Sequence, residues 1–418
     1  MARIPDLRPE DVFTPRTIVT REMFERRNEP DLDGNPGVQD RLADALRDRG
    51  GQVLIYGDTG VGKSSLLKYA AEDESLAPVT VECTTQTDYQ GILDTVVQTL
   101  LEVKEVKRKQ SSGAEAGTSA EGSVPGFAKL RATFKGTTGT ETEYEIVEKP
   151  AVDVATEVMA KTGKSLIVLD NFQNINSDET RELVAQLLER LSDRASDRER
   201  PEIKCVVIGI AEDATSLLGS SRSYLRRTAQ IGVPRMPDDE IRALLSRGFK
   251  LLGIDVPEQF MNQFVFYSDG FPYFAHLVGL QVARATIRAS AVAGVRTVTA
   301  EQLQSALNEA ARSVDASYRD RIRLAKENGG DTRPRTQIMK MLAESSEREW
   351  TSADIQRMWS EKLGRRDDYA FMHAALGQLL TEKHGEILIR TGKKKSYRYR
   401  FTDPHIRPYL RIVGIEGN

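Results

Sequence analysis

Apolar residues along the chain fall into two rhythms. Short, nearly continuous runs at 52–56, 79–83, 165–170 and 205–210 have the length of strands, and runs of that kind suit strands buried on both faces. Between them the apolar positions recur at helical spacing. Leu42, Ala45 and Leu46 share one face of an amphipathic stretch that starts at Val38, and Ile92, Leu93, Val96, Val97, Leu100 and Leu101 are in phase over 90–103. Further helical patterns cover 65–71, 151–163 and 180–191. Strands alternating with helices predict an α/β domain whose parallel sheet is covered on both sides.

From about residue 236 the strand signal stops. Ile241, Leu244, Leu245 and Leu252 make one helical stripe, and Phe274, Leu277, Val278, Gln281, Val282 and Ala285 make another. Thr299 and Gln302 have the spacing of a capping box ahead of Leu303, Ala306, Leu307 and Ala310. This piece reads as an α-helical domain over 236–327. After a polar break at 328–331 come helical patterns at 335–343, 352–361 and 369–383, then a hairpin pairing 386–390 with 396–401 across 391–395. Tyr397, Tyr399 and Phe401 alternate with Arg398 and Arg400, which gives the hairpin one apolar and one basic face. Three helices followed by a β-wing predict a winged helix over 332–418.

Residues 109–126 fit neither rhythm. They are rich in Gly, Ser and Ala and cannot bury enough apolar surface to offset their ordering entropy. They read as a mobile insertion inside the first domain, 1–235, because strands resume beyond them.

Composition narrows the class. The 418 residues are 39% hydrophobic and 29% charged, ordinary for a soluble globular protein. No apolar stretch approaches a membrane span, and the polar start of the sequence does not read as a signal peptide. The two cysteines, Cys83 and Cys205, each fall in an apolar strand and lack metal-ligand spacing. They read as buried thiols of a reducing, cytoplasmic compartment. The net charge of −3 is uneven. From residue 331 onward there are 17 Lys and Arg against 12 Asp and Glu, while the preceding part has 42 against 50. Any polyanion would therefore be met at the C-terminal end.

The most specific chemistry lies after the first strand. Gly57-Asp58-Thr59-Gly60-Val61-Gly62-Lys63-Ser64-Ser65 fits G-x-x-x-x-G-K-[ST] in its strand–loop–helix setting. The three glycines let the backbone turn tightly, so that its N–H groups cradle phosphate oxygens. The helix N-terminus adds partial positive charge below them. Lys63 is expected to reach the β- and γ-phosphates of ATP, and the Ser64 hydroxyl to ligate Mg²⁺. Asp170, at the end of an apolar strand, is the expected second magnesium partner. Asn171 follows it; an amide orients water but cannot take its proton, which points to slow hydrolysis.

Other motifs are less specific. Arg222, Arg226 and Arg227 follow the fourth strand, where an arginine can reach a neighbouring subunit's γ-phosphate or simply be solvated in a basic turn. Pro272 suits the first turn of a helix, which could cover the nucleotide base or be a helix start alone. Lys393, Lys394 and Lys395, with Arg398 and Arg400, can contact DNA phosphates or form a solvated wing. Residues 369–383, in the recognition-helix position, carry few basic residues, so sequence-specific base reading is weak. His276, His373, His384 and His405 show no metal or triad spacing.

Taken together, the phosphate loop, Leu169-Asp170-Asn171-Phe172, the segment from Ile231 to Glu240, Gly270-Phe271-Pro272 and the closing stretch from Tyr399 to Pro404 resemble the AAA+/STAND ATPases. The likeness is nearest to their origin-recognition-like and archaeal-ATPase-like branches, and the lead-in Val12 to Pro15 and Phe24 to Arg27 is similar too. The resemblance implies a P-loop NTPase core, a helical lid and a C-terminal winged helix. It implies that Lys63, Ser64 and Asp170 bind Mg-ATP, that Arg226 is the arginine finger offered to a neighbour, and that Gly270-x-Pro272 is the lid motif. Asn171 departs from the acid usual there, and the segment Gly209 to Glu212 lacks an obvious Asn or Thr sensor.

These readings converge on an ATP hydrolase acting as an oligomerising, nucleotide-dependent switch with slow turnover, in DNA-linked or bacterial antiviral defence signalling, with a separately encoded effector and no membrane partner. A DNA-binding initiator, loader or transposition-helper-like ATPase that grips duplex DNA through its winged helix is the alternative. A scaffold with a purely structural nucleotide is a third.

Overall fold

The computed structural model describes residues 7–111, 151–211, 217, 224, 226–289, 296–314, 316–326, 333–363, 369–393 and 396–414. They form two compact units, one of Arg26–Pro234 and one that joins Met1–Glu25 to Arg235–Asn418.

The first unit is built on a parallel sheet of β1 (Gln52–Tyr56), β2 (Pro78–Glu82), β3 (Leu166–Asp170), β4 (Lys204–Ile208) and β5 (Thr228–Gly232), in the order β2-β3-β4-β1-β5. Every residue of β1 and β4 is buried, as continuous apolar runs require of central strands with helices on both faces. The helices Val38–Arg47, Lys63–Asp73, Tyr89–Ser111, Ala151–Thr162 and Asp178–Arg194 supply that cover. Ile92, Leu93, Val96, Met159, Val184, Leu187 and Leu188 pack in one core with Val79, Leu169 and Val207. Cys83 and Cys205 are free and buried. Burial pushes the Cys83 thiol up to about 12 and raises Cys205 further, which disfavours the thiolate form of both.

Two departures from the sequence reading stand out in this unit. β5 pairs in parallel with β1, although its sequence, half polar and only partly covered at the sheet edge, gives no continuous apolar run. The helix read as 90–103 runs on to Ser111, because Glu, Lys, Arg and Gln extend helices readily. It thus takes in 109–111 of the expected insertion; 112–126 lie outside the described residues.

In the second unit the helices Asp238–Leu251, Glu258–Ser268, Pro272–Ala289, Ala300–Ser313 and Ala316–Ala325 come first, with a two-residue parallel pairing of β6 (Ile254–Asp255) and β7 (Arg296–Thr297). The capping box is formed: Thr299 Oγ1 accepts the Gln302 N–H, and Gln302 Oε1 accepts the Thr299 N–H. Helices Pro334–Glu344, Ser352–Leu363 and Tyr369–Gln378 follow, with a three-stranded antiparallel sheet in the order β8 (Trp350–Thr351), β10 (Arg398–Phe401), β9 (Leu388–Thr391). Tyr399 and Phe401 are buried while Arg398 is exposed, so the hairpin has the two faces its alternation predicts. The third helix ends at Gln378 instead of 383. Gly377 weakens its last turn, and the Leu379 carbonyl accepts the N–H of Leu388 as β9 opens. A final helix, Ile406–Val413, closes the unit.

The lead-in up to Glu25, read with the ATPase core from the sequence, belongs instead to this second unit. The reason is Phe13, which is fully buried against Phe249 and His276. Its ring occupies the space over Gly248 and Gly279, where an added Cβ would come within 2.5 Å of it. Among the described residues, no helix is long and apolar enough to cross a membrane.

Candidate functional site

β1 delivers the chain into a tight loop. Gly57, Gly60 and Gly62 all have positive φ, and an added Cβ on Gly57 would lie 2.4 Å from the Val233 carbonyl oxygen. Only glycine fits that turn without strain. Within the loop Thr59 is exposed, Asp58 and Gly60 are half-buried and Val61 is buried. Gly62 precedes the helix Lys63–Asp73, so the first-turn amides of Lys63, Ser64 and Ser65 point to the loop's open side, the arrangement that favours anions.

Lys63 folds back onto the loop, its Nζ donating to the carbonyls of Gly57 (3.1 Å) and Asp58 (2.8 Å). Burial lowers its ammonium to about 8, against the opposing pull of Asp58 and Asp170. The Ser64 hydroxyl donates to Asp170 Oδ2 at 3.0 Å. Asp170 Oδ1 accepts the backbone N–H of Asn171 at 2.8 Å. A hydroxyl and a carboxylate side by side are the hard oxygen donors that Mg²⁺ takes together with substrate phosphates. Among the described residues no cluster of three His, Cys, Asp or Glu side chains offers a rival metal site.

The structure thus brings together the loop, Lys63, Ser64, Asp170 and Asn171. Arg226 is exposed in the turn before β5, whereas Arg227 is tied back to the Glu189 carbonyl and to Asp193. Arg222 lies outside the described residues, as do Lys394 and Lys395. Pro272 is the first residue of its helix in the second unit. Lys393 and Arg398 are exposed on the wing, and Arg400 is partly buried.

Two residues assigned no role at the site from the sequence also stand beside it. Arg27, almost fully buried, donates to the carbonyls of Val61 and Pro234, each at 2.7 Å, and pairs with Glu29. It braces the loop from behind. Glu82, at the end of β2, accepts the side-chain amide of Asn171 at 3.0 Å. Neither has a local sequence signal, since their partners lie 34, 207 and 89 residues away.

A parallel sheet with a phosphate loop after its β1 strand and a carboxylate at the end of β3 defines a P-loop NTPase. Residues 37–206 match the AAA ATPase domain family. Solved structures similar to the whole chain include a Walker-type ATPase of Pyrococcus abyssi, with 17% identity and a TM-score of 0.46, covering 90% of this chain and 94% of that one. The ORC2 protein of Aeropyrum pernix in ADPNP–ADP complexes is similar at 15% identity and a TM-score of 0.43, covering 94% and 97%. The RuvB Holliday junction branch migration motor of Thermotoga maritima is similar at 13% and 0.42, covering 88% and 91%. Curated proteins give no sequence match.

Proposed function

We propose that this chain binds Mg-ATP and hydrolyses it slowly, as a nucleotide-dependent, oligomerising switch. The observation that carries the reading is the hydrogen bond from Ser64 to Asp170 at the mouth of the formed phosphate loop. It sets two oxygen donors for magnesium beside amides and an ammonium group that suit a triphosphate. Lys63 would leave the loop carbonyls for the phosphates, and the backbone amides would hold them in place. Magnesium, bound by Ser64 and Asp170, would supply charge neutralisation. Slow turnover is supported by Asn171, which puts an amide where the end of β3 would otherwise offer a base of its own. Turnover of several per second with a partner present would contradict it.

Assembly is supported by Arg226, which is exposed and whose guanidinium could stabilise transition-state charge at a neighbour's γ-phosphate. The support for a DNA-linked or defence-signalling setting, with a separately encoded effector, is the family resemblance alone. The test is light scattering on the protein alone, with ADP and with a non-hydrolysable ATP analogue. The ATP analogue should change the size, and Lys63→Ala should abolish the change. No difference between nucleotides would favour the scaffold reading.

The exposed Lys393 and Arg398 favour the second reading, a winged helix that grips duplex DNA. Binding that falls steeply with salt would support it, since each phosphate contact releases counterions. Arg398→Ala should then lower the salt slope by roughly one.

A further inference from the structure

Strands β2 and β3 finish in register, with Glu82 beside Asp170. Neighbouring strands lie about 4.8 Å apart, so two carboxylates stand next to each other at the sheet edge that carries the phosphate loop. The burial alternation of β2 turns Val79 and Val81 inward and leaves Glu82 exposed at the rim. Asn171 spans the pair. Its backbone N–H is held by Asp170, and its side-chain amide donates to Glu82 Oε2. Both bonds are made because Asn171 adopts a left-handed conformation, φ 58° and ψ 36°, which asparagine tolerates better than most residues.

A carboxylate placed to take the attacking water's proton speeds hydrolysis by about 10²–10⁴-fold. The Asn171 amide is not one, and Asp170 is engaged by Ser64 and by the Asn171 N–H. Glu82 is a carboxylate one strand away with a single one of its two oxygens taken up by Asn171. We propose that Glu82 is the general base of this ATPase and that Asn171 is a positioning residue that holds it; the assignment rests on the phosphate-loop reading above. In the step, the water oxygen bonds to the γ-phosphorus. The bond from that phosphorus to the β–γ bridging oxygen breaks, and its electron pair leaves with ADP. The water's proton passes to the Glu82 carboxylate and from there to solvent. The base is therefore supplied by β2, and the amide sits where β3 would ordinarily present the acid.

The test compares the full chain with Glu82→Gln, Asn171→Ala, the double variant and Lys63→Ala. ATP affinity is read by calorimetry, phosphate release by turnover and folding by thermal melting. Glu82→Gln should lower kcat by about 100-fold or more, with ATP affinity within about threefold and an unchanged melting temperature. Asn171→Ala should lower kcat about tenfold when Glu82 is intact and add nothing to Glu82→Gln, because it acts through that residue. Retained turnover in Glu82→Gln, within about threefold, would overturn the proposal while Lys63→Ala still loses ATP. So would a wild-type chain that binds ATP without any turnover. Wild-type ATP affinity in Lys63→Ala would instead defeat the phosphate-loop reading itself.

Discussion

Arg411, in the last helix, donates to the carboxylate of Asp269 across 142 residues of sequence, at 3.2 Å. It is one of three guanidinium groups on that carboxylate. Arg235 reaches it at 2.6 Å and Arg407 at 3.3 Å, and all four side chains are largely buried. Burial lowers the Arg407 guanidinium to about 10, with Asp269 opposing and neighbouring arginines adding to the drop. One anion therefore holds together three cations that repel one another, immediately before Gly270-Phe271-Pro272.

Removing that anion should be costly. Asp269→Asn keeps the shape and tolerates the residue's left-handed backbone, φ 48°, so it isolates the charge. Leaving buried arginines unpaired costs about 3–5 kcal/mol. Chemical denaturation should show that loss, and adding Arg407→Met to the Asp269→Asn variant should recover part of it.

The phosphate loop gives a second expectation. Gly57→Ala places a methyl group against the Val233 carbonyl at a φ of 141°. Strain of that kind costs about 1–3 kcal/mol, and the displaced loop should lose ATP affinity by at least tenfold in calorimetry. An unchanged affinity would mean that the loop relaxes without losing its cradle.

A third concerns acid. His276 is buried, accepts the Thr14 N–H on Nδ1 at 3.1 Å, and burial pushes it down to about 4. Its unfolded value is near 6.5, so the unfolded chain binds more protons between these values. The stabilisation is complete above about pH 6.5 and is lost as the pH falls towards 4. At 1.36 kcal/mol per unit it amounts to roughly 3 kcal/mol. Denaturation midpoints should fall on acidification from pH 6.5 to 5, and His276→Gln should flatten that part of the profile.

Packing of the lead-in gives a fourth. Gly279→Ala would push a methyl into the Phe13 ring and should cost about 1–3 kcal/mol. Phe13→Leu in the same chain should relieve part of that cost, so the two changes combined should cost less than their sum.

Much of this architecture was legible because its signals are local. The buried runs at 52–56 and 205–210, the loop from Gly57 to Ser65 and the Thr299 capping box each declare themselves within a few residues. β5 was not, since an edge strand half covered by neighbours keeps polar residues such as Thr228 and Gln230. The helix Ile406–Val413 carries Pro408 in its first turn, a residue that reads as a break but is tolerated there. At the site, Lys63, Ser64 and Asp170 follow from spacing. Glu82 and Arg27 do not, because only the sheet register and the folded lead-in bring them to the loop.

The seat of Phe13 has a practical corollary. An aromatic ring lodged over two bare glycine faces is a plug, and Phe13→Ala would pull it out, leaving a largely apolar hollow beside Phe249 and His276 at a cost of about 3–5 kcal/mol. Hollows of that sort admit benzene or xenon. A crippled helical domain could then be restored by dissolving a small hydrocarbon in the buffer, which would turn this part of the molecule on and off by chemistry alone.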